Sequence, residues 1–246
     1  MCFSVEIDVN LKKLSRQFNA EIKGIENEHI KITALGPSKK DHIPVIAHID
    51  GALVIKSMVW SLTPSWAKEP IKWNTYNARM TRQQKGTTQK IYDVPTFKGA
   101  FRKNQFCLIP VSTVIESCYW GETKGNIVGF NRADNEPFYV LGLWDTESCT
   151  MLTDAPYNYL YEKGHDRSVV LVEAQNGLDL MQNTALGHVD SFNKIMDIRT
   201  DQDWSHRLIR PLKDGWQKRA PSESKVLELG ESVYSKFGLT RRKLYS

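Results

Sequence analysis

The sequence predicts an α+β domain of mostly antiparallel sheet with a few peripheral helices. Three observations carry that expectation. Short apolar runs alternate with Gly, Pro, Asn and Asp turn signals through most of the chain, the pattern of half-buried strands. Asp50-Gly51 stands between two such runs, 43–49 and 52–60, and suits a tight primed hairpin turn. Leu11, Leu14, Phe18, Ile22 and Ile25 recur every three or four residues with Lys and Arg between them, which predicts an amphipathic helix packed by one stripe. At 246 residues the chain can bury a sizeable core.

Taken in order, residues 3–9 predict a strand ahead of that helix, and residues 35–41 a loop. Pro64 and Pro70 break any regular element after the hairpin, leaving a loop that carries Trp60, Trp66 and Lys68. Residues 81–90 hold Arg82, Lys85 and Lys90 and no acid; they fit either a solvated loop or a positive edge along a phosphate backbone. Pro95-Thr96 opens a short helix through about Asn104, and Phe106 to Pro110 predicts a buried strand. The apolar run continues from Val111 into Glu116. A carboxylate there is costly to bury without a partner, so it faces solvent or has a chemical task. Residues 126–130 and 137–144 predict a second hairpin, Met151 begins a further strand, and Ser168 to Val172 another. His165, flanked by Asp166 and Arg167 at that strand's entrance, is either structural or chemical.

Composition narrows the function classes. Net charge is +5 with pI near 8.9 and mean hydropathy −0.43, a moderate bias toward polyanionic partners. No apolar run approaches the ~20 residues of a membrane span and no signal-peptide pattern follows Met1, so a cytoplasmic protein is expected. Cys2, Cys107, Cys118 and Cys149 are widely spaced without a CxxC pair, and the histidines lack ligand spacing. Neither a metal site nor a disulfide framework is expected, and the last three cysteines fit small buried hydrophobes. From residue 207 onward ten Lys/Arg face four Asp/Glu, a local +6. A domain over residues 1–200 and a basic, helical extension over 201–246 are expected, the latter a nucleic-acid contact or a soluble appendage.

Cys2 directly follows Met1. Removal of Met1 would leave a 1,2-aminothiol, which condenses with aldehydes: the amine gives a Schiff base and the thiol closes a thiazolidine. The α-amine titrates near ~8 and the thiol near ~8.5, so both nucleophiles are accessible at neutral pH.

An ordered set of motifs over roughly residues 1–175 resembles the SRAP family, the abasic-site processing proteins also called SOS-response-associated peptidases. The set begins with Met1-Cys2 and Trp60-Ser61-Leu62-Thr63-Pro64-Ser65-Trp66-Ala67, then Asn77-Ala78-Arg79 and Cys107-Leu108-Ile109-Pro110. Glu116 follows six residues after that proline, then Gly142-Leu143-Trp144, Leu152-Thr153-Asp154-Ala155 and His165-Asp166-Arg167. The resemblance implies a barrel-like sheet and covalent capping of abasic sites in single-stranded DNA, without metal or organic cofactor. The nucleoid of a prokaryotic or phage-infected cell is the implied setting, and a monomer is expected. By similarity Cys2 is the nucleophile, Asn77 holds Cys2 and the sugar, Glu116 is the general acid/base, and His165 moves protons. Autoproteolytic loss of Met1 and a β-elimination (lyase) side reaction are implied too. Arg79 and Arg167 would clamp phosphates, and Trp60 would stack on a base beside the lesion. The chain departs from the family pattern at Phe3-Ser4, Met80-Thr81-Arg82, Ser117 and Ser168-Val169. Two other classes fit the same residues: a non-catalytic single-strand binder with this fold, and an amidohydrolase or peptidase with Cys2 as N-terminal nucleophile.

Overall fold

The computed structural model describes residues 4–35, 41–69, 71, 73–84, 87–218 and 220. Cys2 and the expected terminal helix and basic tail lie outside the described residues, as does most of the 35–41 loop.

β1 (Ser4–Asn10) buries Val5, Ile7 and Val9 on one face and turns Glu6 and Asp8 to the other, the period of two that its sequence dictates. Asn10 caps α1 (Leu11–Phe18), its side chain accepting from the Lys13 amide at 2.9 Å. The expected helical stripe ends early. Asn19 takes a left-handed conformation at φ 47° and closes the helix, so Ile22 falls in a strand, β2 (Glu21–Lys23), and Ile25 lies outside any helix. β3 (His29–Leu35) returns along β1. β4 (His42–Ile49) and β5 (Ala52–Trp60) form the predicted hairpin, with Asp50 at φ 50° and Gly51 at φ 81° supplying the primed turn.

β6 (Asn77–Arg79) leads into a separate two-stranded ribbon, β7 (Thr81–Gln84) and β8 (Thr87–Lys90), where a solvated loop or a positive edge was expected. The short helix α2 (Lys98–Arg102) precedes β9 (Phe106–Val111) and β10 (Thr113–Cys118), both buried along their whole length. β11 (Asn126–Arg132), β12 (Phe138–Asp145) and β13 (Ser148–Asp154) follow. α3 (Asn158–Glu162) leads to β14 (Ser168–Val169) and β15 (Leu171–Val172). The single strand expected from Ser168 to Val172 is broken because Val170 bridges two partners: its N–H donates to Leu152 and its carbonyl accepts from Leu141. α4 (Ala174–Gln182) and α5 (His188–Ile198) pack on the barrel, and β16 (Trp204–Pro211) ends the sheet.

Two sheets result. The five-stranded one runs β16-β11-β10-β1-β3, all antiparallel. In the nine-stranded one, β13 pairs with β12 on one edge and, through Ser148 and Cys149, in parallel with β5 on the other. The circuit β13-β12-β9-β4-β5-β13 therefore closes on itself, a barrel filled by residues such as Ile46, Ile55, Met58, Leu108 and Leu141. The hairpin expected between residues 126–130 and 137–144 does not form. Both edges of β12 are occupied by β9 and β13, so β11 joins β10 and β16 in the other sheet. Through its pairing with β11, β16 places residues 204–211 at the edge of the five-stranded sheet.

Candidate active site

Glu116 sits mid-strand on β10, on the same side as Val114, which pairs with Val5 of β1. That side faces the core, and Glu116 is 2% exposed. Burying a carboxyl group there demands a partner, and His165 stands beside it: Nε2 lies 3.2 Å from Glu116 Oε2. His165 is 0% exposed, and its Nδ1 stands 2.8 Å from the Ser117 carbonyl. A carbonyl can only accept, so Nδ1 carries the ring proton, and Nε2 of the neutral ring accepts from Glu116 when that carboxyl carries a proton. Burial brings His165 down to about 3, so the ring is neutral at physiological pH.

The loop holding His165 is locked to the one that follows Glu116. Tyr119 N–H donates to the Gly164 carbonyl at 2.7 Å, and the Trp120 indole N–H to the Tyr161 carbonyl at 2.8 Å. Thr123 Oγ1 donates to the Lys163 carbonyl. Gly164 is at φ 100°, and a Cβ there would stand 1.9 Å from the Trp120 carbonyl oxygen. Gly121, at φ 66°, meets the Glu162 carbonyl oxygen equally closely, at 2.2 Å. Two glycines thus let two backbones touch, and that contact fixes the Glu116–His165 distance.

β13 brings in the arginines. Along its final residues it carries β6 on one edge, with Thr153 opposite Arg79, and β14 on the other, with Thr153 opposite Val169. Arg167 enters β14 two residues earlier. Burial and the neighbouring Arg79 guanidinium bring Arg167 down to about 10, while Asp166 and Glu116 pull the other way. Arg167 keeps its charge, with Nε buried and lacking a hydrogen-bond partner among the described residues. Burial pushes the Asp166 carboxyl up, but His165, Arg167 and Arg79 outweigh it and hold it below the ordinary range. Asn77, half-buried, lies two residues before Arg79 on the same strand.

Of the predicted site residues, Glu116 and His165 are in contact, and Arg79 and Arg167 are electrostatically coupled to each other and through Arg167 to Glu116. Asn77 shares a strand with Arg79. Trp60 does not belong with them. It is 0% exposed, donates its indole N–H to the Tyr76 carbonyl at 2.9 Å and packs edge-on against the Tyr76 ring, so it offers no face to a base. Its place is beneath the residue preceding Asn77. The predicted burial of Cys107, Cys118 and Cys149 holds. Sequence reasoning missed the Gly164–Trp120 contact and the part played by the Ser117 carbonyl. A glycine immediately before the candidate histidine was the available signal. A groove of about 1000 Å³ lies on the other face of β1, among Glu6, Asp8, Lys13, Lys31 and Arg207. Its charges neutralise one another in pairs, and neither Glu116 nor His165 lines it.

The family model described as SOS response associated peptidase (SRAP) matches residues 1–205. The chain belongs to the SRAP family. Among curated proteins none matches it. Solved structures share its fold at low identity. A Bordetella bronchiseptica protein superposes with a TM-score of 0.62 at 19% identity, covering 85% of this chain and 100% of that one. A Bacteroides thetaiotaomicron protein gives 0.62 at 16%, covering 92% and 99%. A phage-related protein from Bordetella bronchiseptica gives 0.59 at 12%, covering 85% and 94%. SRAP membership ties the chain to the SOS response to DNA damage and to peptidase-type chemistry. Among the described residues no cluster of His, Cys, Asp and Glu suits a metal ion, and no helix is long and apolar enough to cross a membrane.

Proposed function

We propose that this SRAP protein caps abasic sites in single-stranded DNA through a covalent bond to Cys2, exposed by removal of Met1. The observation that carries the reading is the buried Glu116–His165 pair beside the start of the chain. Ser4 pairs with Ile115, the residue before Glu116. Cys2 is two residues upstream, and two residues of chain span at most about 7 Å.

The ring-opened abasic sugar is an aldehyde. The Cys2 amine adds to its carbonyl carbon to give a carbinolamine, water leaves to form the Schiff base, and the thiol adds to the C=N carbon, its proton passing to nitrogen. Glu116 takes the proton released by the attacking amine and delivers one to the departing hydroxyl. Neutral His165, with a lone pair on Nε2, relays protons to and from it. Asn77 orients the aminothiol and the sugar, and Arg79 with Arg167 neutralises the flanking phosphates.

The test is a denaturing gel of purified protein mixed with a single-stranded oligonucleotide carrying one abasic site, with intact mass confirming loss of Met1. Wild type should give a heat-stable retarded band that Cys2→Ala lacks and Glu116→Gln forms slowly. An equal band from Cys2→Ala sinks the proposal. The peptidase description of the family favours a second reading, in which Cys2 hydrolyses amides. It would be upheld by turnover of a peptide substrate with no retarded band.

A further inference from the structure

The β7–β8 ribbon is a physical oddity. Residues 81–90 are Thr, Arg, Gln, Gln, Lys, Gly, Thr, Thr, Gln and Lys, without one acidic or apolar side chain. The ribbon joins neither sheet. A two-stranded hairpin alone is marginal in water, and this one has no apolar face with which to buy stability from a core. Its composition is instead that of a surface for phosphate and sugar oxygens, which Arg, Lys, Thr and Gln contact.

Its location adds to the argument. Met80 N–H donates to the Thr153 carbonyl at 2.8 Å, and the Met80 carbonyl accepts from Ile91 N–H at 3.0 Å. The ribbon is thereby rooted at Thr153, the β13 residue opposite Arg79. Paired residues share a face. Thr81 pairs with Lys90, whose Nζ lies 4.5 Å from the Phe192 ring centre on α5, so that face looks inward at its base. Arg82 pairs with Gln89 on the opposite face, which Thr87, two residues before Gln89, shares. Gln89 Oε1 accepts from Arg82 Nε at 2.7 Å and holds the guanidinium in place there. Thr87 is exposed at the far end.

We infer that the Arg82 face of the β7–β8 ribbon is a nucleic-acid contact that extends the site beyond Arg79 and Arg167 and follows the phosphate backbone of the strand leaving the lesion. This rests on the proposed DNA reading and adds a contact surface to it. The ribbon binds backbone, so it acts alike on intact and damaged strands.

The experiment measures binding of fluorescent single strands, intact and abasic, by anisotropy over a salt series, with crosslinking at saturating protein measured beside it. Losing one phosphate contact lowers the log K against log salt slope by about 0.7, which at about 0.1 M salt weakens binding about fivefold. Arg82→Gln should show that change on both strands and still crosslink fully at saturation. Thr87→Glu, which leaves the Arg82–Gln89 bond intact, should weaken binding the same way. Lys31→Gln, an equal charge loss at the Asp8 ion pair, should not change it. Unchanged slope and affinity in Arg82→Gln and Thr87→Glu, with wild type binding and crosslinking normally, overturns the ribbon and leaves the capping reading standing. Wild type that binds neither strand overturns both. An acidic peptide that binds wild type, and loses affinity in Arg82→Gln while DNA does not, would assign the face to a protein partner instead.

Discussion

His165 makes the stability of this domain depend on pH in a window of its own. In the unfolded chain the imidazole titrates near its ordinary 6.5, whereas in the fold burial lowers it to about 3. Between those values the unfolded state takes up a proton that the folded state refuses, so stability must fall as pH falls. The contribution is complete above 6.5 and is lost progressively down to about 3. At pH 5 the loss is about 1.5 pH units at about 1.4 kcal/mol each, or about 2 kcal/mol. Asp166, held below the ordinary carboxylate range, adds a loss of the same sign, but below its unfolded value of 3.8. Urea titrations of wild type and His165→Gln at a series of pH values isolate the effect. The wild-type curve should drop through this window by about 2 kcal/mol more than the variant's. Parallel curves from pH 7 to 5, or an imidazole NMR titration centred near 6.5 in the folded protein, would refute the reasoning.

Two further expectations follow from the same contacts. Gly164→Ala places a Cβ against the Trp120 backbone, which no rotamer change can relieve, and the residue sits in a backbone region disfavoured for L-amino acids. The variant should lose about 2–4 kcal/mol, and its His165 should titrate closer to 6.5 as the loops part; calorimetry and imidazole NMR report the two effects. Trp60→Ala should cost about 3–5 kcal/mol in urea unfolding, as for a fully buried indole. At a temperature where it is folded, its affinity for intact single strands should match wild type; a selective loss of base stacking would contradict the burial described above.

What could be read from the sequence was what depends on neighbouring residues. Asp50-Gly51 fixes its turn locally, and the alternation in residues 4–10 reveals its strand without reference to anything else. The stripe of α1 misled because Ile22 and Ile25 continue its period while Asn19, a residue suited to the left-handed cap, ends the helix. Pairing was less accessible: whether β11 lies against β12 or β10 is decided by which strand edges are already taken. Glu116 and His165 each stood out alone, but their 3.2 Å contact joins residues far apart in sequence and depends on Gly164 meeting the Trp120 backbone. Trp60 shows the limit of a motif. It names a residue within a loop sequence but not the depth at which that residue ends up.

The closed barrel has a consequence for how activity arises during folding. Its last link, β13 to β5, joins segments nearly a hundred residues apart and is parallel, the kind of pairing that forms late because a long loop must first be closed. The strand that closes the circuit is also the one on whose edges β6 and β14 hang, and with them Arg79 and the approach from His165 to Arg167. A nascent or partly unfolded chain that has not closed the ring therefore lacks the counter-charges and the histidine together. On the capping chemistry proposed above, reactivity toward a damaged strand is gated by completion of the fold, and a chain carrying a free aminothiol before that point has no organised pocket in which to use it.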